Sequence, residues 1–206
     1  MPPTRPTRVT PRSVRAVTVL KIGGSLTESE AAARLMRGLA ARRPRDLLLV
    51  PGGGGFADRV RAAQAHHGLS ERAAHHMALF AMHMVAVLLA DLAPGFAVAD
   101  GPGQFESAWS RGLTPIWLPA PMVVAAADIP ASWEVSSDTL AAWIAGQTGA
   151  TRLVLVKSCS LPDQSRDANA LAAAGVVDAC FPQFVEGRGF SWEVVSGWGP
   201  ALAAVS

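Results

Sequence analysis

The chain has 206 residues, half of them hydrophobic and 17% charged, with Lys+Arg 18 against Asp+Glu 16 for a formal net charge of +2. That apolar content excludes disorder over most of the chain, and the near balance of charge gives no clustered basic face for nucleic acid. The length suits one domain that buries its own core, and two cysteines, Cys159 and Cys180, are too few for a zinc site or a disulfide framework, which points to a reduced, cytoplasmic compartment.

Residues 1–15 carry Arg5, Arg8, Arg12 and Arg15 among four prolines and no apolar run, so they read as a flexible, solvated leader and not a secretory signal. Val14–Ile22 is rich in β-branched residues and stops at Gly23-Gly24, as a strand does. Thr27 or Ser29 can cap the next helix, whose Ala32, Leu35, Met36 and Leu39 share a face and which Pro44 ends. Asp46–Val50 is a continuous apolar run, expected of a strand covered on both faces of a parallel sheet. It runs into Pro51 and four glycines, Gly52 to Gly55, before a helix from Phe56 to about His67. Ser70 opens a long helical pattern, Glu71–Leu92, that stops at Ala93-Pro94-Gly95. Phe96–Ala99 and Pro115–Leu118 are short strands. The most apolar stretch, Leu113–Trp133, is broken by Pro115, Pro119, Pro121 and Pro130 and cannot span a membrane as one helix. Ser136 or Ser137 caps a helix through Thr139–Gln147 that Gly149 closes, and Arg152–Val156 is another buried strand ending at Lys157. Val176-Val177 and Val194-Val195 read as late strands, and Gly199-Pro200 opens a terminal helix. This alternation predicts an α/β fold, a three-layer αβα sandwich with a mainly parallel central sheet, as a single domain over residues 16–206.

In such sheets ligands gather at the carboxyl ends of the strands. Three segments there stand out: Lys21-Ile22-Gly23-Gly24-Ser25, Pro51-Gly52-Gly53-Gly54-Gly55 and Val156-Lys157-Ser158. Glycines let main-chain N–H groups approach an anion closely, and a following helix adds its positive end. Lys21 and Lys157 are the only lysines in the chain, and both fall at strand ends. Two glycine nests suit two phosphate-bearing ligands, or one ligand and a group in transfer. Two familiar nucleotide motifs fail. GxxxxGK[ST] is absent, and Gly52-x-Gly54-x-x-Ala57 follows the second strand, with Arg72 near the place where an acid is required. His66, His67, His75, His76 and His83 lack metal-ligand spacing and read as the polar flank of the long helix and its preceding turn, with one of them available to a substrate. No metal-ligating residues are assigned, and the six tryptophans read as core or pocket wall.

With these loops in place the chain resembles the amino acid kinase superfamily over about residues 16–205. Lys21-Ile22-Gly23-Gly24-Ser25-Leu26 is similar to its opening KxGGS motif, Pro51–Asp58 to its second glycine loop, and Ser136-Ser137-Asp138-Thr139-Leu140-Ala141 to its [NS]xD helix start. Ser132–Asp138, Val177–Pro182 and the Phe-Ala-Asp ending of the second loop also resemble kinases that act on [5-(aminomethyl)furan-3-yl]methyl phosphate in methanofuran-type cofactor biosynthesis. One departure stands out: relatives carry a TDVDGY-like acidic segment where this chain reads Val156–Asp163, with a lysine as in uridylate kinases but without the acidic pair.

The resemblance implies an acceptor-binding half over about 16–130, a nucleotide-binding half over about 131–206, and ATP-dependent transfer to a phosphomonoester, giving a diphosphate. It assigns Lys21, Asp138 and Lys157 to catalysis. Lys21, Gly23, Gly24 and Ser25 would hold the β- and γ-phosphates, with Lys157 and Ser158 on the donor side. Gly53, Gly54 and Gly55 would cradle the acceptor phosphate with Ser137 nearby, and Asp58 and Trp133 would meet the acceptor's ammonium group. Asp138 would orient both lysines, and Mg2+ would bridge donor oxygens. The expected partner is a small-molecule phosphate acceptor in a homo-oligomeric enzyme, with neither nucleic acid nor membrane. Isopentenyl phosphate or nucleoside monophosphate kinases share the same loops, as does a non-catalytic anion- or nucleotide-binding protein of this fold.

Overall fold

The computed structural model describes residues 15–161 and 167–205. The leader, apart from Arg15, and Pro162 and Asp163 of the departing segment lie outside the described residues. Six strands, β1 (Thr18–Ile22), β2 (Leu47–Pro51), β3 (Phe96–Ala99), β4 (Thr114–Trp117), β5 (Arg152–Lys157) and β6 (Ser191–Ser196), form one sheet in the order β3-β4-β2-β1-β5-β6. Every pairing is parallel. Parallel strands require crossovers, which is where the helices go: α1 (Glu30–Arg42), α2 (Gly54–His67), α3 (Glu71–Asp91), α4 (Pro102–Ser110), α5 (Ala120–Ala125), α6 (Ser137–Thr148), α7 (Ala168–Ala173), α8 (Phe181–Val185) and α9 (Trp198–Ala204).

Strand side chains alternate between faces. Val17 and Val19 of the first strand segment and Leu153 and Leu155 of β5 face a core completed by α6, α8 and one side of α3. Leu20, Ile22, Val154 and Val156 face the opposite core, with α1 and α9. Leu20, Ile22 and Val154 are fully buried, each contributing about 1.5–3 kcal/mol of apolar burial. This parity decides the site: Lys21 follows Val19, and Lys157 follows Leu155, so both lysines leave adjacent strands on the same face.

Several boundaries differ from the sequence reading. The strand expected at Val176-Val177 is a turn, because the N–H groups of both residues donate to the Leu171 carbonyl at the end of α7 and leave no edge to pair. Val177 is nonetheless buried, at 5% exposed. α2 begins at Gly54, inside the glycine run, while Ser29, Ser70 and Ser136 each cap a helix through the side-chain oxygen. Helices α4, α5, α7 and α8 and a 3-10 turn at Gly24–Glu28 were not anticipated; they are short, and three open on a proline within the first two positions. α3 is long and apolar enough to cross a membrane by composition, at mean hydropathy 1.6, but Leu79, Met82, Val85, Ala86 and Leu89 bury one face of it in the domain.

Candidate active site

Lys21 is the penultimate residue of β1, Lys157 the last of β5, and Asp138 the second of α6, whose N-terminus lies over the face that both lysines share. One carboxylate serves both cations. Asp138 Oδ1 lies 2.8 Å from Lys21 Nζ, and Oδ2 accepts from Lys157 Nζ at 2.6 Å. Lys21 and Asp138 are each 3% exposed. Burial alone would push the Asp138 carboxyl up, but the ammonium groups of Lys21 and then Lys157 outweigh it and hold the group below the usual carboxylate range. Burial, and then the charge of Lys21, pushes the Lys157 ammonium below the ordinary lysine value against the pull of Asp138.

The start of α6, which carries Asp138, is held by a second acid that the sequence reading quoted but gave no role. Asp178 Oδ2 accepts the Ser136 N–H (3.0 Å), the Ser136 hydroxyl (2.7 Å) and the Thr139 N–H (3.0 Å). Its Oδ1 takes the Thr139 hydroxyl and the Phe181 N–H. A carboxylate on the first turn also complements the positive end of α6.

The two glycine loops do not face each other across a gap; they touch. A Cβ at Gly24 would stand 2.3 Å from the Gly54 nitrogen, and one at Gly52 would stand 2.5 Å from the Gly24 nitrogen. Gly54 itself has φ +52°, a conformation that favours glycine. The glycines therefore have a packing requirement besides any approach of an anion. Gly23 is corrected as an amide ligand: its N–H donates to the Val156 carbonyl at 3.0 Å, extending the sheet pattern. Amides in the opening turns after it, Gly24 and Ser25 in one loop and Gly54 and Gly55 in the other, belong to the helix starts whose N–H groups lack intrahelical partners. Across β1 and β5, Ser25 Oγ and Ser158 Oγ are 2.7 Å apart.

A cleft of about 340 Å³ opens from these loops, lined at one end by Gly24, Ser25, Gly53 and Gly54 and by Ser137 of α6. Its far end holds Asp58 and Trp133, both in contact with Arg61. Arg61 Nη1 donates to Asp58 Oδ1 at 3.0 Å, and the Arg61 guanidinium lies 4.2 Å from the centre of the Trp133 ring. The Trp133 indole N–H donates to Gln64 Oε1 at 2.5 Å. Arg61, Gln64 and Glu28 escaped the sequence reading, and His75 was named there only as one of five histidines of which one could meet a substrate; Arg61 and Gln64 lie one and two turns along α2 from Asp58, a spacing that could have drawn attention to them. His83 does not reach the cleft lining: its Nε2 accepts the Ala120 N–H at 3.0 Å and so supports the start of α5. Trp117 and Trp143 stack in the core, as expected of the tryptophans.

No group of three or more His, Cys, Asp or Glu side chains able to hold a metal ion occurs among the described residues. Asp138 is already shared by two ammonium groups, so an Mg2+ here would take its oxygens from the donor's phosphates, as expected of an ion that bridges them.

The family model described as "Amino acid kinase family" matches residues 16–160. The chain belongs to the amino acid kinase family. It is 26% identical over 128 residues to the [5-(aminomethyl)furan-3-yl]methyl phosphate kinase of Methanocaldococcus jannaschii, a match covering 61% of this chain and 58% of that relative's length. Among solved structures it is similar to uridylate kinase from Archaeoglobus fulgidus, with TM-score 0.70, 18% identity, and coverage of 92% of this chain and 95% of that one. UMP kinase from Ureaplasma parvum aligns with TM-score 0.66 at 13% identity, covering 93% and 97%. Aspartate kinase from Synechocystis aligns with TM-score 0.65 at 15% identity, covering 89% of this chain and 38% of that enzyme. The fold is thus the amino acid kinase fold.

Proposed function

We propose that the chain is an ATP-dependent kinase that passes the γ-phosphoryl group to the phosphate of a small phosphomonoester, yielding a diphosphate and ADP, with [5-(aminomethyl)furan-3-yl]methyl phosphate as the acceptor. The observation that carries this reading is the single carboxylate, Asp138, gripping the chain's only two lysines beside two touching glycine loops. The relative from M. jannaschii, together with the motifs it shares, supports the choice of acceptor.

An acceptor phosphate has a second pKa near 6, so one of its oxygens is an ionised nucleophile at neutral pH and needs no general base. That oxygen attacks the γ-phosphorus, the bond to the β,γ-bridging oxygen breaks, and ADP leaves with the electron pair. Catalysis then consists of alignment and neutralisation of spreading negative charge. Lys21, with the Gly24 and Ser25 amides, holds the β- and γ-phosphates. Lys157 and Ser158 counter charge on the donor side, and Gly53 to Gly55, with Ser137 opposite, hold the acceptor phosphate. Asp138 keeps both ammonium groups charged and in place. The expected homo-oligomer uses the exposed stripe Met77, Phe80, Met84 and Val87 on α3, four apolar side chains at helical spacing.

The test is ADP release against a panel of phosphomonoesters that includes the aminomethyl-furan compound, isopentenyl phosphate and UMP. The aminomethyl-furan phosphate should turn over fastest, and Lys21→Ala should lower its turnover by about 10²- to 10³-fold, as for loss of a preorganised charge-stabilising donor. ATP binding without ADP release for any acceptor would favour a non-catalytic protein instead.

A further inference from the structure

The cleft contains one buried ionisable side chain that phosphoryl transfer does not use. His75, 8% exposed, stands on α3 and lines the cleft beside Leu79, Met82 and Val135. The Ser132 main chain lies against the imidazole and favours its protonated form, a smaller influence than burial. Burial, and then neighbouring His76, hold His75 below the ordinary histidine range, which keeps the ring neutral near pH 7. A neutral imidazole that donates through one nitrogen keeps an acceptor lone pair on the other.

Position follows from the helices. α2 and α3 form an antiparallel pair across the turn at 68–70, where Gln64 Nε2 donates to Glu71 Oε1 at 2.9 Å. Gly54 of α2 and Met82 of α3 therefore mark the glycine end of the cleft, and Arg61 and His75 the far end. Seven helical residues rise about 10 Å, the scale of a small phosphomonoester. The charged groups along the cleft are Glu28, Asp58 and Arg61. Glu28 stands by Gly55 at the glycine end, where a Cβ would come within 2.9 Å of its Oε1. Asp58 is engaged by Arg61, and Arg61 covers the Trp133 face. Arg61 thus competes with an acceptor's ammonium group for both Asp58 and Trp133.

We infer that His75 sets acceptor specificity: its second ring nitrogen accepts a hydrogen bond from an N–H or O–H donor at the end of the acceptor remote from the phosphate. The enzyme then selects phosphomonoesters that carry such a donor over those with a wholly apolar tail. This inference rests on the kinase reading and deepens it.

The test compares kcat/KM for [5-(aminomethyl)furan-3-yl]methyl phosphate and its 5-methyl analogue, which lacks the amine. The wild type should prefer the amine by about 10- to 100-fold, the effect of leaving a buried polar group unpaired. His75→Phe should bring the preference to near unity through the acceptor KM, with the ATP KM unchanged, and His75→Gln, which retains an acceptor oxygen, should keep part of it. His75→Leu makes the same comparison if the larger ring prevents folding. A preference that survives both apolar substitutions, or a wild type that uses the two acceptors equally well, overturns the inference while leaving the kinase reading intact. Failure of the wild type to phosphorylate any phosphomonoester overturns both.

Discussion

Asp138→Asn isolates the charge at the centre of the site. Asparagine keeps the size of the side chain and one acceptor oxygen but removes the negative charge from between ammonium groups 2.8 and 2.6 Å away. Breaking a buried ion pair by removing one partner costs about 3–5 kcal/mol, and here buried Lys21 and the largely covered Lys157 lose the same partner, which favours the upper end. For a domain of this size each kcal/mol moves Tm by about 2–4 °C, so the melt should fall by roughly 10–20 °C. Turnover, followed by ADP release below the new melting temperature, should drop by about 10²- to 10³-fold, because neither lysine is then held on the phosphates. Adding Lys157→Met to Asp138→Asn removes one uncompensated ammonium and should recover part of the stability with no recovery of rate. A single Asp138→Asn variant that melts within about two degrees of wild type and turns over within a few-fold would refute the reasoning.

Gly24→Ala should destabilise the chain and abolish activity, since its Cβ would meet Gly54 main chain at 2.3 Å, whereas Gly55→Ala meets only the flexible end of Glu28 at 2.9 Å and should fold normally; paired thermal melts check the contrast. His75 and His83 are both held below the ordinary histidine range by burial, so the unfolded chain, titrating near 6.5, takes up protons first and stability should decline as pH falls from about 6.5. Urea midpoints at pH 7.5 and 5.5 measure this, and a midpoint that rises on acidification would contradict it. Phe80, 59% exposed in the α3 stripe, should matter for self-association: Phe80→Glu should shift sedimentation velocity toward monomer, and an unchanged profile would remove α3 from the interface.

Much of this site was legible in the residues because its chemistry is concentrated. Two lysines in the whole chain, each closing a β-branched or apolar run, had to lie at strand ends, and strand parity then puts both on one face. Asp138 could be read from the Ser-Ser-Asp helix start. The role of the glycines was only half legible: sequence showed that the loops were bare, but contact between Gly24 and Gly54 is a tertiary fact, as is the use of the Gly23 amide by Val156. His75 was hidden because α3 carries histidines on several sides, and helical spacing alone cannot tell which one a neighbouring loop will bury. Asp58 and Trp133 were read as contacts for an ammonium group, and the structure adds Arg61, one turn from Asp58, against both. The Val176-Val177 pair misled because β-branched residues were read as strand where the end of α7 captures their amides.

The decisive experiment is 31P NMR of the protein with ATP and [5-(aminomethyl)furan-3-yl]methyl phosphate. The expected spectrum loses the acceptor's monoester resonance and the γ-phosphate of ATP together, and gains ADP and the coupled doublets of a new diphosphate. An acceptor resonance that persists while inorganic phosphate accumulates, or an ATP spectrum that does not change, would contradict transfer between the two phosphates.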